Sequence, residues 1–337
     1  MNVDNAHKWL MIVNPKAHGG MLAQQWPGFA EQLSLRGVPV EVRSTRYRYH
    51  AVELVFAALR QGYRQVVAVG GDGTVSEVVN ALFMQQEVPL EEVTMGVIPA
   101  GSGNDWGRMF GIPNDLSSAF QVLEDGHTLL QDVGCVEVME SGVKKQSFVV
   151  NGLGVGLDAA ICRKCNQLKN RGKRGKFVYL RAGASALLRH RSKNVVVRVD
   201  GQEFYRGPML SLAIGIGQYS GGGMLQTPRA LPDDGLVDIT LIRKASVLRV
   251  LKEFPKLYSG KVYRIVDKVL WGRGTTVSVV SEEADLVEAD GELLGTTDVN
   301  FRLMPKALRV FVPLNMDQHL RSKEAGDDSA EDATILS

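Results

Sequence analysis

Residues 66–82 read VVAVGGDGTVSEVVNAL, and the three parts of that stretch decide the fold. Val66 to Val69 is a β-branched run of strand length. Gly70-Gly71-Asp72-Gly73-Thr74 reads as a tight turn whose three glycines permit backbone angles closed to other residues. Val75, Val78, Val79 and Leu82 then mark one face of a helix that follows the turn. Such a strand–loop–helix unit aims backbone N–H groups and the positive end of a helix dipole at an anion, and Thr74 and Ser76 add hydroxyl donors. A bare glycine turn is the alternative. The acid inside the loop favours a nucleotide, because Asp72 would repel phosphate unless a cation such as Mg2+ intervened, directly or through water.

Outward from this unit the alternation continues. Trp9 to Val13 reads as a buried strand emptying into Asn14-Pro15 and the Gly19-Gly20 turn. Val38 to Val42 suits a second strand, and Ala51 to Leu59 carries apolar residues at helical spacing. Met95 to Pro99 is a further strand followed by AGSGND, and Leu116, Ala119, Phe120 and Leu123 form the apolar face of a helix after Asn114. This is parallel α/β architecture, Rossmann-like with three layers. After about Gly134 the texture changes to β-rich runs such as SFVVNGLGVG, NVVVRVD, MLSLAIGIG, LVDITLI and ALRVFVP, which predict a separate antiparallel β domain. The final stretch, residues 321–337, is polar and acidic and reads as a disordered tail.

Composition bounds the function. The 337 residues are 45% apolar and 23% charged with a net charge of +2, so the global balance gives a nucleic-acid partner no support. Cys135, Cys162 and Cys165 are an odd set with no export signal before them, which points to a reducing compartment and a cytoplasmic protein. Cys162 and Cys165 form a C-x-x-C with no second pair, read as incidental thiols. No run of about 18 apolar residues occurs. The loop matches neither G-x-x-x-x-G-K-[ST] nor G-x-G-x-x-G with its distant acid, which weakens P-loop and NAD-oxidoreductase readings.

A second loop, Pro99 to Asp105, ends the next strand, where open parallel sheets place ligands. Asp105 would join Asp72 near a metal, and Ser102 and Asn104 could bond phosphate or base; an Asn-Asp helix cap is the alternative.

The motifs NPKAHGG, GGDGTVSEVVNAL, PAGSGNDWGRMFGIP, GGGMLQTPRALPDDGLVDI and ADGE together resemble the bacterial diacylglycerol kinase and sphingosine kinase superfamily, from about Leu10 to Leu314. The resemblance implies an α/β ATP-binding domain at 1–134, a β-sandwich lipid-substrate domain at 135–302, a returning segment at about 303–320, and an active site in the cleft between the domains. It implies ATP contacts from the Asn14 to Gly20 loop, with Asn14, Pro15, Lys16 and Gly19; from Thr45; from Gly71, Asp72, Gly73, Thr74, Val75, Ser76 and Glu77; and from Ser102, beside Asn104. Asp72, Asp105 and Asp132 would hold a hydrated Mg2+. The first loop departs from the family's N-P-x-[SA]-G by one extra residue before its glycine, and His18 there reads as solvent-facing.

Transfer to an alcohol requires removal of its proton. Asp290 and Glu292 resemble the family's D-G-E, whose acids are the general base and its helper, although Asp290-Gly291 is also a common hairpin turn. Leu231, Asp234 and Leu236 match the family's second, structural magnesium site, with a plain D-D-G turn as the alternative. Between Arg163 and Lys193 lie eleven Lys or Arg and no Asp or Glu. With Phe177, Leu180, Ala184, Leu187 and Leu188 on one helical face, this segment reads either as a peripheral contact to an anionic membrane or as a helix packed on the β domain. RNA binding fits less well, since few aromatics interleave with the charges. The sequence is compatible with a homodimer. The expected activity is phosphoryl transfer from MgATP to a membrane lipid hydroxyl, diacylglycerol by default, with sphingoid bases, ceramides, monoacylglycerol and phosphatidylglycerol also compatible. The rivals are a soluble-substrate kinase of the NAD kinase type and a catalytically silent lipid-binding protein.

Overall fold

The computed structural model describes residues 5–170, 176–316 and 320, with the backbone alone for residues 169, 170, 176–181 and 184. The chain divides into two compact units: Met1–Asp132 with a returning segment that begins at Lys306, and Val133–Pro305. The tail expected at 321–337 lies outside the described residues.

In the first unit the elements run β1 (Trp9–Val13), α1 (Met21–Leu35), β2 (Val40–Ser44), α2 (His50–Arg60), β3 (Gln65–Gly70), α3 (Asp72–Met84), β4 (Thr94–Pro99), α4 (Asp105–Phe110) and α5 (Leu116–Asp125). The strands are parallel in the order β2-β1-β3-β4. β1, β3 and β4 are buried along nearly their whole length, as near-continuous Val, Ile and Met runs require when helices cover both faces. β2, at the edge, is half-exposed. Val75, Val78, Val79 and Leu82 of α3 are all buried, the face read from their spacing. The order places a topological switch point between β1 and β3, so the loops after these two strands leave the sheet side by side. Asn14 N–H accordingly donates to the Val69 carbonyl (2.9 Å), and Thr45 N–H to Val13 (2.8 Å).

The returning segment is part of this unit: Arg309 and Val310 pair in parallel with Thr94 and Met95 of β4. Phe311 meets Trp9 (centroids 5.1 Å apart), which also packs edge-on against Phe120 (6.2 Å). A strand from the far end of the chain thus completes a core begun at residue 9.

The second unit is antiparallel. It comprises β5 (Thr128–Glu140, which enters from the first unit), β6 (Val143–Val149), β7 (Gly152–Gly156), α6 (Leu157–Asn170), α7 (Lys176–Arg189), β8 (Lys193–Val199), β9 (Gln202–Gly215), the short pair β10 (Tyr219–Ser220) and β11 (Met224–Leu225), β12 (Val237–Arg243), α8 (Val247–Glu253), α9 (Pro255–Tyr258), β13 (Val269–Gly274), β14 (Thr276–Ser281), β15 (Leu286–Ala289) and β16 (Glu292–Phe311). Two long strands serve two layers. β9 pairs with β8 through its first half and with β7 and β12 through its second. β16 pairs with β15 and then with β14. Long strands that change partners turn a sheet's corner and enclose a core, here including Val136, Val197, Leu212, Ile239, Val279 and Phe301.

Phe311→Ala removes an aromatic that only the returning segment supplies, and a loss of about 3–4 kcal/mol of unfolding free energy is expected in urea titration. A loss under about 1 kcal/mol would mean that the segment is dispensable to the first unit's core.

Candidate active site

The first unit gathers the glycine motifs by backbone contact. A Cβ on Gly71 would stand 2.9 Å from the Gly101 Cα, and one on Gly101 would stand 2.4 Å from the Gly71 Cα. The two loops therefore touch where neither tolerates a side chain. α3 begins inside the motif, at Asp72, not after it: Thr74 N–H already donates to the Gly71 carbonyl (2.8 Å). Gly70 and Gly71 make the whole turn, since a Cβ on Gly70 would lie 2.3 Å from Thr74 Oγ1.

Asp72 has a second task that local spacing did not reveal. Its Oδ2 accepts the Asn104 N–H (2.9 Å) and its Oδ1 the Trp106 N–H (3.4 Å), the amides that open α4. Burial pushes the Asp72 carboxyl up, and the N–H groups of Trp106, Asn104 and Asp105 draw it back only in part. A partly desolvated carboxyl held by backbone dipoles is one that a nearby cation would favour in its charged form.

Asn104 sits in the left-handed region (φ 54°), and its Oδ1 accepts the Gly101 N–H (2.7 Å) while its Nδ2 donates to Asn114 (2.8 Å). Ser102 is exposed at the tip of that loop. Asp105 is buried, with Arg108 Nε 3.8 Å from its Oδ1. Asp132 is fully buried and accepts the Lys306 N–H (2.7 Å), so it anchors the return of the chain. Among the described residues no three His, Cys, Asp or Glu side chains converge closely enough to chelate a metal directly. Asp72, Asp105 and Asp132 therefore do not form a direct three-acid cage.

The remaining nucleotide candidates divide by what their side chains already do. Asn14 Nδ2 donates to Thr74 Oγ1 (3.3 Å) and its Oδ1 accepts the Lys16 N–H (3.1 Å), which ties the first loop to the glycine turn. His18, Gly19 and Gly20 all take positive φ, so the longer loop after Pro15 coils left-handedly. Val75 is buried and offers only its backbone. Glu77 accepts the Tyr49 N–H (2.9 Å) at the start of α2. The Ser76 carbonyl accepts from Asn80 (2.9 Å).

In the second unit, Asp290 (φ 49°) and Gly291 (φ 81°) form the two-residue hairpin between β15 and β16, since Ala289 pairs with Glu292. Asp290 is buried. Its Oδ2 accepts the Val150 N–H (3.1 Å), and its Oδ1 accepts those of Asn151 and Gly152 (3.0 Å each). Glu292 is half-exposed.

Two acids beside this turn were missed. Glu288 Oε2 accepts the Gly291 N–H (2.9 Å), and a Cβ on Gly154 would meet both Glu288 Oε1 (2.6 Å) and Asp158 Cβ (3.0 Å). Burial, then the charge of Asp158, pushes the Glu288 carboxyl well up. Burial raises Asp158 to about 6, opposed by its hydrogen bond from the Ser211 hydroxyl (2.7 Å). Only the acid-rich run Glu288 to Glu292 hinted at this. The Cys162 thiol lies 3.0 Å from the Gly291 carbonyl, and no disulfide joins the described cysteines.

The implied second magnesium site does not fit a divalent ion. Asp234 Oδ1 accepts the Leu236 N–H (3.0 Å), and Oδ2 is bound by the Arg273 guanidinium, whose Nε reaches the fully buried Asp238 (3.1 Å). The guanidinium bridges Asp234 and Asp238, so the one carboxylate of the implied site is already paired. The loop Leu231 to Leu236 is half-buried to exposed apart from Pro232.

Glycine loops in contact after the adjacent parallel strands β3 and β4, beside a half-buried acid, point to the class of nucleotide-using phosphotransferases. Family models match both units: the diacylglycerol kinase catalytic domain over residues 8–136, and the YegS C-terminal NAD kinase beta sandwich-like domain over 151–312. A Mycobacterium tuberculosis protein named diacylglycerol kinase is 30% identical over 303 residues, covering 90% of this chain and 94% of that one. One from Staphylococcus carnosus is 26% identical with the same coverage. A crystal structure of a diacylglycerol kinase from Bacillus anthracis superposes with a TM-score of 0.67 at 21% identity, covering 92% of this chain and 98% of that one; this likeness bears on the fold. The chain belongs to the diacylglycerol kinase family. It is a kinase that uses ATP and an alcohol acceptor, with an α/β domain followed by a β-sandwich-like domain, as the sequence led one to expect.

Asp158 keeps its proton to about 6 when folded and loses it near 3.8 when unfolded, so stability falls as pH rises between those values. Asp158→Asn is expected to stabilise the protein at pH 8 by on the order of 2 kcal/mol, and the gain should vanish near pH 4. An equal effect at both pH values in thermal melts would show that burial does not govern this carboxyl. Arg273→Met should cost roughly 2–4 kcal/mol by stranding Asp238. Mg2+ without nucleotide should leave the wild-type Tm unmoved, whereas a Mg2+-dependent rise lost in Asp234→Asn would place a divalent ion there.

Proposed function

We propose that this kinase moves the γ-phosphoryl group of MgATP onto a hydroxyl of a membrane lipid, with diacylglycerol the default acceptor. The observation that carries the nucleotide half is the Gly71–Gly101 contact over the half-buried Asp72 carboxylate. The acceptor half rests on relatives named diacylglycerol kinase that align over both units. When bound, Mg2+ would neutralise phosphate charge, and Asp72, Asp105 and Asp132 are the residues to hold it through water. The N–H groups at the start of α3 and the hydroxyls of Thr74 and Ser76 bind the phosphates.

In the reaction the acceptor oxygen bonds to the γ-phosphorus, the bond from that phosphorus to the β–γ bridging oxygen breaks, ADP leaves, and the hydroxyl proton passes to a carboxylate. Glu292 is the better acceptor of that proton. Both oxygens of Asp290 already accept backbone N–H groups, so Asp290 is the positioning residue that fixes the turn. The basic segment 163–193 is a candidate for holding the enzyme at an anionic surface; of its described side chains, Ala186 and Leu187 join an apolar cluster while Leu188 is exposed.

Labelled ATP with Mg2+ and mixed micelles of diacylglycerol, monoacylglycerol, ceramide, sphingosine and phosphatidylglycerol, run beside NAD, tests the reading. A labelled lipid is expected, and label only in a soluble product would overturn it. Glu292→Gln should lower kcat by about a hundredfold or more with Tm nearly unchanged. Asp290→Asn should lower kcat and Tm together. The reverse pattern would exchange the two roles.

A further inference from the structure

The chain's net charge of +2 hides a second basic stretch besides 163–193: residues 243–268 hold eight Lys or Arg against two acids, Glu253 and Asp267. Both acids are taken up locally. Arg249 pairs with Glu253 (3.2 Å) and Asp267 (2.9 Å), and Lys256 pairs with Glu253 (2.7 Å). Lys244, Lys252 and Lys261 are exposed.

This stretch contains α8 and α9, which bury no residue fully. Their inner contacts are Val250, packed on the cluster of Leu157, Ala160, Ala186 and Leu210, and Leu257, packed on Val262, Tyr263 and Val269. The opposite face should be polar in a helix whose outer side meets only water. Four large apolar side chains are exposed instead, in a row that runs from the edge of the inner face outward: Leu248 is 80% exposed, Leu251 56%, Phe254 37% and Tyr258 51%. Their spacing of three, three and four residues keeps them on one side, and the Phe254 and Tyr258 rings pack edge to face (5.7 Å). Single exposed leucines are ordinary, but four large apolar side chains in one row are not.

α7 extends the same pattern. Its Ala186 and Leu187 enter the cluster that receives Val250, while Leu188 is 72% exposed beside the exposed Arg189 and Arg191. Two elements thus share one inner apolar cluster and each turns leucine and cationic residues outward.

We propose that the outer face of α8 and α9, with the end of α7, docks onto an anionic lipid bilayer, its leucine and aromatic side chains entering the headgroup boundary and its lysines meeting lipid phosphates. Charge complementarity selects this occupant: apolar insertion flanked by excess positive charge is the chemistry of an interfacial membrane anchor. A second copy of the chain would bring like charge against like. The inference rests on the lipid-kinase reading for its purpose, but binding is measured without ATP or acceptor, so the two fail separately.

The full chain is sedimented with phosphatidylcholine vesicles containing about 30 mole per cent phosphatidylglycerol and with pure phosphatidylcholine vesicles. Wild type should prefer the anionic vesicles, and about 0.5 M NaCl should weaken the binding. The double substitution Leu248→Asp and Leu251→Asp should cut the bound fraction at least about tenfold. Lys252→Glu with Lys261→Glu, a milder surface change, should cut it severalfold with an unaltered melt. Unchanged vesicle binding in both variants, or loss of binding only in a protein that has also lost its melt, with the lysine variant binding normally, overturns the proposal. So does light scattering that shows a wild-type dimer dissociated by Leu248→Asp and Leu251→Asp with vesicle binding intact. Vesicle binding without any phosphorylated lipid would instead count against the proposed function and leave the docking surface standing.

Discussion

The carboxylate of Asp72, turned onto the amides that open α4, joins the two glycine loops of the first unit into one body. An α-helix start leaves its first N–H groups without intrahelical partners, and a side chain must satisfy them. Here the cap comes from 32 residues upstream, across the contact of Gly71 with Gly101. That contact demands glycine on both sides. The same carboxylate is partly desolvated and held by backbone dipoles, so a positive charge beside it would favour its ionised form.

Asp290 repeats the device in the second unit. Three amides from the loop before β7 converge on it, and its own backbone N–H donates to the Gly152 carbonyl (2.9 Å). The hairpin at Asp290-Gly291 is thereby pinned to a neighbouring strand as well as to its own partner strands, and Glu288 pins it again through the Gly291 N–H. In both units an acid that the motif marks out for chemistry spends its oxygens on backbone. Preorganisation of this kind fixes the positions of the groups around it, which is what transfer between two oriented reactants requires.

Electrostatics divides the molecule in a way its total charge conceals. Asp132, Asp238 and Asp290 are buried acids, and each is met by amides or by a guanidinium. Exposed bases crowd residues 243–268 of the second unit, and Arg163, Arg189 and Arg191 are exposed as well. Arg273 is the exception that reaches inward, and it pairs with the Asp234 carboxylate that the family resemblance assigned to a metal. No helix among the described residues is long and apolar enough to cross a membrane.

Periodicity in the sequence determined what depends on near neighbours: strands where β-branched runs are buried, the α3 face of Val75, Val78, Val79 and Leu82, and the change from α/β to β texture near residue 134. Motif order determined the family. The α4 cap escaped, because the side chain that supplies it stands outside the local window in which capping is read. The pair Glu288 and Asp158 escaped for the same reason, since only the fold sets α6 beside β15. The hairpin at Asp290 was legible as a turn, but its three distant amides were not. Which acid remains half-exposed, which cation meets Asp234 and which apolar side chains stay outside are all decided by packing between segments far apart in the chain. Tertiary structure alone sets these, because desolvation and hydrogen-bond partners belong to a position in space rather than to a position in sequence.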